Sequence, residues 1–288
     1  MFRSKTFVLA GTIVVLLALA GSGCGGGSNK SSESTTTTTA GNGASISAPA
    51  AIKSAGQLVF CSDITYPPEE FYEGSKPVGS DIEIGAEIAR RMGVKAQFDN
   101  TGFDGIIPAL LGKKCDAIIS GMNDTPERRK QVTFVDYIKV GQSFMVKKGN
   151  PENISGVASL AGKSASVEVG TTNKDYLDQQ SKTLKSQGKK PIDVVTFPKD
   201  TDAANALKTG KVDAYFGDAP VVAYYIEKDA SSFTFGGSPI NPILVGIAIR
   251  KSDTELDSAV RQAVNDMYAD GTMAKILKKW QLSAAALK

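Results

Sequence analysis

Arg128, Asp218 and the run Gly170-Thr171-Thr172 have the types and neighbours that suit recognition of a small charged molecule. Arg128 lies in "NDTPERR", residues 123–129. There Thr125 is a good N-cap, Pro126 suits the first helical position and Glu127 complements the helix dipole. This predicts that Arg128 projects from the first turn of a short helix, just past a strand that ends at Ser120–Gly121. Its planar guanidinium fork matches a carboxylate through two bonds, although an arginine beside a glutamate is also an ordinary solvated charge. In "SVEVGTTNKDYL" (166–177) a strand ends at Gly170, and Thr171-Thr172-Asn173 open a helix. The free amides and dipole of that helix attract an anion; a plain capped helix is the alternative reading. Asp218 ends "DAYFGD", where a short acid on a strand edge suits either an ammonium group or the cap of "APVVAYYIE". An arginine, a helix N-terminus and an aspartate together match the carboxylate and ammonium of an α-amino acid.

Composition narrows the chemistry. Histidine is absent, which removes Ser-His and Cys-His nucleophiles, histidine bases and nearly all ordinary zinc sites. The net charge of +3 has both signs interspersed, which speaks against a nucleic-acid binder. At 288 residues and 41% hydrophobic content, two lobes with a sizeable core fit the chain.

The N-terminus reads as an export signal: Arg3 and Lys5 precede "TFVLAGTIVVLLALAG", an apolar run too short and too terminal for an ordinary span. Two processing readings compete. Ala18-Leu19-Ala20 fits a small-x-small cleavage site, and "LAGSGC" resembles a lipobox that would lipidate Cys24. A following Gly/Ser/Thr/Asn tract cannot bury enough surface to fold, and as a tether it favours the anchored form. Of the two remaining cysteines, Cys61 ends the strand "QLVFCSD" and Cys115 begins "CDAIIS". In parallel strands those ends lie about 10 Å or more apart, beyond disulfide reach, so two free thiols are expected.

Past the tether, strands and helices alternate, which argues for a mainly parallel sheet covered by helices. Ser80 and Glu83 suggest a capping box for "SDIEIGAEIARRMG", with Ile82, Ala86, Ala89 and Met92 on one face. The stretches "ALLGKKCDAIISG" (109–121) and "ALKTGKVDAYFGD" (206–218) superpose without a gap. A chance match between helix-to-strand connections is one reading. Two similarly wound lobes are the other, with Gly121 and Asp218 equivalent at the strand edges where open α/β sheets bind ligands. The apolar stretches 140–149 and 243–252 read as two crossover strands, so that the C-terminal helices complete the first lobe.

From about Gly56 to Lys279 the chain resembles the family-3 solute-binding proteins of bacterial ABC importers. The resemblance is carried by "SDITYPPEEF", "KPVGSDIEIGAEIARRMGVK", "FDGIIPALLGKKCDAIISGMNDTPERRKQVTF", "VGTTNKDY" and "DAYFGD". It implies a two-lobed, type II periplasmic-binding-protein-like fold, each lobe a mainly parallel sheet flanked by helices and joined by two crossover strands. The corresponding division is a signal peptide (1–23), a tether (24–52), lobe 1 (53–142 and 247–288) and lobe 2 (143–246). By the same resemblance Arg128 grips the ligand α-carboxylate with help from Asn123 and Thr172. Ser120, Gly121 and Asp218 take the α-ammonium, Tyr66 and Phe103 sandwich the ligand, and Asp63 lies near its side chain. Thr171 and Glu168 join this set. With Arg128 and Asp218 matched, Asp63 and Glu168 are left over, which points to a cationic ligand such as arginine, ornithine, lysine or an opine derived from them. Glu69, after two prolines, is expected at the surface, with a place beside these acids as the alternative. The implied partners are ABC permease subunits and, through Cys24, the outer face of the membrane; the protein is expected to be a monomer without nucleic acid, metal or cofactor. A dehydratase on the same fold and a ligand-sensing domain are the competing functions.

Overall fold

The computed structural model describes residues 45–287. The expected signal peptide, Cys24 and most of the tether lie outside the described residues. The first half carries α1 (Ala50–Ala55), β1 (Gln57–Ser62), the hairpin β2 (Phe71–Glu73) and β3 (Lys76–Val78), α2 (Ser80–Arg91), β4 (Lys95–Asn100), α3 (Ile106–Leu111), β5 (Ala117–Ile118) and α4 (Pro126–Arg129). The long β6 (Val132–Lys147) leads into β7 (Ser164–Glu168), α5 (Thr172–Ser186), β8 (Asp193–Phe197), α6 (Asp200–Lys208), β9 (Ala214–Asp218), α7 (Ala219–Lys228) and β10 (Phe233–Phe235). Then β11 (Ile240–Arg250) runs back, and α8 (Thr254–Ala269) and α9 (Thr272–Lys279) follow it.

The main sheet has the order β4-β1-β5-β11-β6-β9-β7-β8, which reads the same way from both ends. In each half, two short strands flank a parallel neighbour, and a long strand joins antiparallel: β11 on β5, and β6 on β9. The two long strands pair with each other in the middle. They cross from one half to the other, as the apolar stretches at 140–149 and 243–252 suggested.

The sequence duplication builds the same local structure twice. Lys113 and Lys114 N–H donate to Leu110 O and Ala109 O; Gly210 and Lys211 N–H donate to Leu207 O and Ala206 O. Asp116 accepts from Val59 N–H through Oδ2 at 2.9 Å while its own N–H donates to Val59 O. Asp213 does the same with Ser164, its Oδ2 accepting at 2.8 Å. The shared Asp-Ala is therefore a clasp that docks β5 on β1 and β9 on β7.

Apolar burial then fixes the halves. Leu58, Phe60, Ile84 and Ile88 pack with Val260, Met267 and Leu277, so α8 and α9 cover the first half. The second half is filled from Val167, Leu177 and Phe216 on one side and Leu207, Tyr215 and Val221 on the other. Each such side chain contributes about 1.5–3 kcal/mol by leaving water.

Several local expectations are overturned. Cys61 and Cys115 form a disulfide, with Cα atoms 5.6 Å apart. β5 is only two residues long, so Cys115 is not its first residue. It sits in the preceding turn, which folds back over β1 into a cluster with Ile106 and Leu110. Ordered structure begins before residue 53: Ile46 is buried, Ser45 and Ile46 N–H both donate to Arg91 O, and α1 follows. The capping box at Ser80 is absent. Gly79 is the N-cap of α2, and the Ser80 hydroxyl is buried without a partner. On α2, Ile82, Ala89 and Met92 are buried as expected, but Ala86 is exposed and the buried face also takes in Asp81, Ile84 and Ile88.

Candidate ligand-binding site

A narrow cavity lies where the two halves meet, at the C-terminal edges of their strands. Asp63, Tyr66, Glu70, Phe103, Gly121 and Asn123 line it from the first half. Glu168, Thr171, Thr172, Asn173 and Asp218 line it from the second. Asp63, Glu168 and Asp218 stand at or directly after a strand end, and Thr171, Thr172 and Asn173 open α5, as expected where open α/β edges collect binding groups.

The strand end at Ser120–Gly121 is held by acids from elsewhere in the first half. Ser120 Oγ accepts from Asp63 N–H at 2.9 Å and donates to Glu70 Oε1 at 2.8 Å. Gly121 N–H donates to Asp81 Oδ2 at 2.8 Å, and the Tyr137 hydroxyl donates to the same carboxylate. Gly121 has φ 47°, and a Cβ there would stand 2.9 Å from the Tyr66 ring. Glycine lets that ring close over the strand end. Asp63 Oδ2 accepts from Phe103 N–H at 2.8 Å, so one acid ties the end of β1 to the segment that carries Phe103 into the cavity wall.

Across the cavity Thr171 caps α5, its Oγ1 accepting from Lys174 N–H at 3.1 Å and donating to Glu168 O at 2.8 Å. The Thr172 hydroxyl donates to Asn123 Oδ1, which joins the halves. Asp218 occupies the N-cap position of α7 but makes no side-chain cap. Its carboxylate accepts instead from Asn123 Nδ2 at 3.2 Å and Asn173 Nδ2 at 3.3 Å, and its N–H donates to the Tyr66 hydroxyl at 3.2 Å. The capping alternative is thereby excluded.

Arg128 projects from α4, with Thr125 Oγ1 capping its own N–H at 3.1 Å as expected. It is half-buried at the rim rather than among the lining residues. Nη1 donates to Asn123 O at 2.7 Å, Nη2 donates to Gly170 O at 3.1 Å, and the guanidinium lies 5.3 Å from the Phe103 centroid. Burial holds it below the usual arginine range, yet it remains a cation.

The electrostatics are lopsided. Burial pushes Asp218 up to about 6, against hydrogen bonds from the two asparagines and the pull of Arg128. Asp63 is raised by burial, tempered by Thr65, the Phe103 amide and Lys199. Glu70 and Glu168 are raised well above the usual carboxylate range, again by burial first and then by neighbouring acids. Behind the wall Asp200, between the hydroxyls of Tyr215 and Tyr225, is pushed up to about 7. Glu69, expected at the surface, is buried beside Asp81 and Asp218 and is also raised. It turns inward because the chain doubles back there: Asp81 N–H donates to Glu69 O, and Gly79 touches the same carbonyl. Among the described residues no cluster of side chains suits a metal ion.

Of the binding residues expected from the sequence, Asp63, Tyr66, Phe103, Gly121, Asn123, Glu168, Thr171, Thr172 and Asp218 line the cavity, while Arg128 stands at its rim and Ser120 directly behind it. Glu70, Asp81 and Asn173 were missed. An acid before "FYEG" reads as surface, and nothing in its spacing separates it from Glu69 or Glu73.

Two facing lobes with polar groups converging on the cleft define a binding protein for a small solute. The chain belongs to the bacterial extracellular solute-binding proteins, family 3, whose family model matches residues 58–283. It is 30% identical to the L-cystine-binding protein TcyJ of Escherichia coli K12, over 80% of this chain and 84% of that one. Among solved structures, the arginine-bound form of truncated ArgBP from T. maritima is 35% identical, with a TM-score of 0.68 over 75% of this chain and 99% of that one. An ancestral amino acid-binding protein, described as a precursor of cyclohexadienyl dehydratase, is 32% identical, with a TM-score of 0.73 over 80% and 97%.

Proposed function

We propose that this protein binds a free amino acid with a cationic side chain in the interlobe cavity and delivers it to an ABC permease. The observation that carries this is the surplus of acid. Asp63, Glu70, Glu168 and Asp218 all line the cavity, whereas among the described residues no arginine or lysine does. Asp218 and the rim residue Arg128 suit the α-ammonium and α-carboxylate, which leaves three carboxylates. Glu70 Oε2 and Glu168 Oε1 are buried with no hydrogen-bond partner. In a closed cavity such groups must be protonated or meet a cation, and an arginine, ornithine or lysine side chain supplies one. The likeness to an arginine-bound structure supports the reading, and the cystine-binding relative makes side-chain charge the point to test.

Residues 53–142 with 247–288, and residues 143–246, are taken to close as rigid lobes about β6 and β11, giving a state that a permease can read. The test is thermal stabilisation by L-arginine, L-glutamine and L-glutamate at equal concentration. Arginine should stabilise most; greater stabilisation by glutamate overturns the cationic reading.

The dehydratase neighbour gives the enzymatic reading one specific support, since Glu168 has the raised proton affinity that an acid catalyst needs. That neighbour is itself described as amino acid-binding, and the Arg128 and Asp218 pair suits an intact amino acid, so binding without turnover is preferred. The N-terminal reading is tested separately. The protein is proposed to act as a monomer held to the membrane by lipidated Cys24, and Cys24→Ser should shift it from the membrane to the soluble fraction.

A further inference from the structure

Asp218 is the acid set against the ligand ammonium, and both its oxygens are addressed by amides. Oδ2 accepts from Asn123 Nδ2 and Oδ1 from Asn173 Nδ2. A side-chain amide has a donor end and an acceptor end, so what meets one end decides what the other presents. Asn123 is fixed by the Thr172 hydroxyl on its Oδ1. Asn173 Oδ1 accepts from Gln142 Nε2 at 2.7 Å, and Gln142 Oε1 accepts from Asn241 Nδ2 at 3.0 Å. The result is a one-way relay, Asn241 to Gln142 to Asn173 to Asp218, in which every donor points toward the carboxylate. Gln142 and Asn173 are each 3% exposed, so water does not substitute for the link between them, whereas Asn241 at the distal end is exposed.

The far end of this relay is not in the cavity wall. Gln142 lies in β6, directly paired with Asp218 of β9. Asn241 lies in β11 with φ 49°, beside the register break between Ile240 and Ile243. Both strands are the connections between the halves.

We propose that Gln142 and Asn241 are positioning residues that act through Asn173 to hold Asp218 as the acceptor for the ligand ammonium, coupling the connecting strands to ligand affinity. The proposal rests on the reading of Asp218 as the ammonium site. Without Gln142, Asn173 is free to turn its oxygen toward Asp218, which replaces a donor by an acceptor against a carboxylate. The other groups facing Asp218 are the Tyr66 hydroxyl, Arg128, Glu69 and Asp200. None of them hydrogen-bonds to Gln142 or Asn241, so variants of the relay leave their contacts with Asp218 in place.

Gln142→Leu removes both relay links at similar volume, together with the longer 3.5 Å contact from Gln142 Nε2 to Thr172 Oγ1. Asn241→Gly removes only the distal amide and keeps a backbone that accepts positive φ. Carboxyl-carbon NMR of the unliganded protein reads the Asp218 titration midpoint, and calorimetry across pH reads L-arginine affinity. In Gln142→Leu the midpoint should rise by about one pH unit, with affinity near neutral pH about tenfold weaker. Asn241→Gly should move both in the same direction by less, and it decides alone if Gln142→Leu does not fold. An unchanged Asp218 midpoint in the folded variants overturns the relay. Failure of the ammonium reading looks different: Asp218→Asn would then bind as tightly as the parent protein, while the NMR shift would still report the relay.

Discussion

Arg128 reaches across the cavity to a backbone carbonyl of the opposite half, Gly170 O, while its other nitrogen holds Asn123 O of its own half. An arriving carboxylate would find this fork already oriented, with Phe103 beneath it. Arg128→Ala should therefore leave the fold intact and remove ligand affinity. Loss of one partner of a desolvated pair costs about 2–5 kcal/mol, or roughly thirty- to several-thousand-fold. Calorimetry that finds less than about a threefold change would contradict the role. At this scale the sequence was informative for residues with a distinctive local frame. Thr125-Pro126-Glu127 announced the helix that presents Arg128, and a strand end announced Asp218. It was silent on Glu70 and Asn173, whose roles depend on Ser120 and Gln142, partners 50 and 31 residues away.

The elements meet most closely where Gly170 abuts the first half. Gly170 has φ 79°, and a Cβ there would stand 2.8 Å from Asp104 Cα, a backbone atom that cannot turn aside. Gly170→Ala should penalise closure more than folding, because the clash exists only while the lobes touch. Affinity should fall about tenfold or more, with a smaller loss of thermal stability from the left-handed strain, about 1–2 kcal/mol. Wild-type affinity in calorimetry would mean the halves need not approach this closely. The duplicated stretch was legible because its clasp depends on one residue type, an aspartate whose carboxylate and N–H both bond the main chain of the neighbouring strand. The disulfide was not legible. Its geometry depends on β5 being too short to include Cys115, and strand length is set by tertiary pairing rather than by the apolar run that signals a strand. For the same reason the stripe of α2 was only partly legible: Ile82, Ala89 and Met92 are buried as expected, but Ala86 is exposed and the buried face extends to Asp81, which reaches Gly121 and Tyr137.

For the whole molecule, the mild net charge of +3 conceals a cleft of opposite sign. Composition removes histidine chemistry and speaks against a nucleic-acid partner, but only folding brings Asp63, Glu70, Glu168 and Asp218 together. This arrangement sets opposite pH trends for stability and for binding. Asp218 is raised to about 6 and Asp200 to about 7, and Asp63, Glu70 and Glu168 are raised as well. Between the ordinary carboxylate value near 4 and about 7, the unliganded native protein therefore holds more protons than the unfolded chain. Its stability falls as pH rises through that window. A cationic amino acid requires the ionised acids, so its binding releases protons and tightens as pH rises through the same window. Thermal melts from about pH 5 to about pH 8 separate the two trends. The unliganded midpoint should decline with pH across this range, while the shift induced by saturating arginine should grow. A ligand-induced shift that is flat or shrinks with rising pH would mean that these acids do not face the ligand's charge.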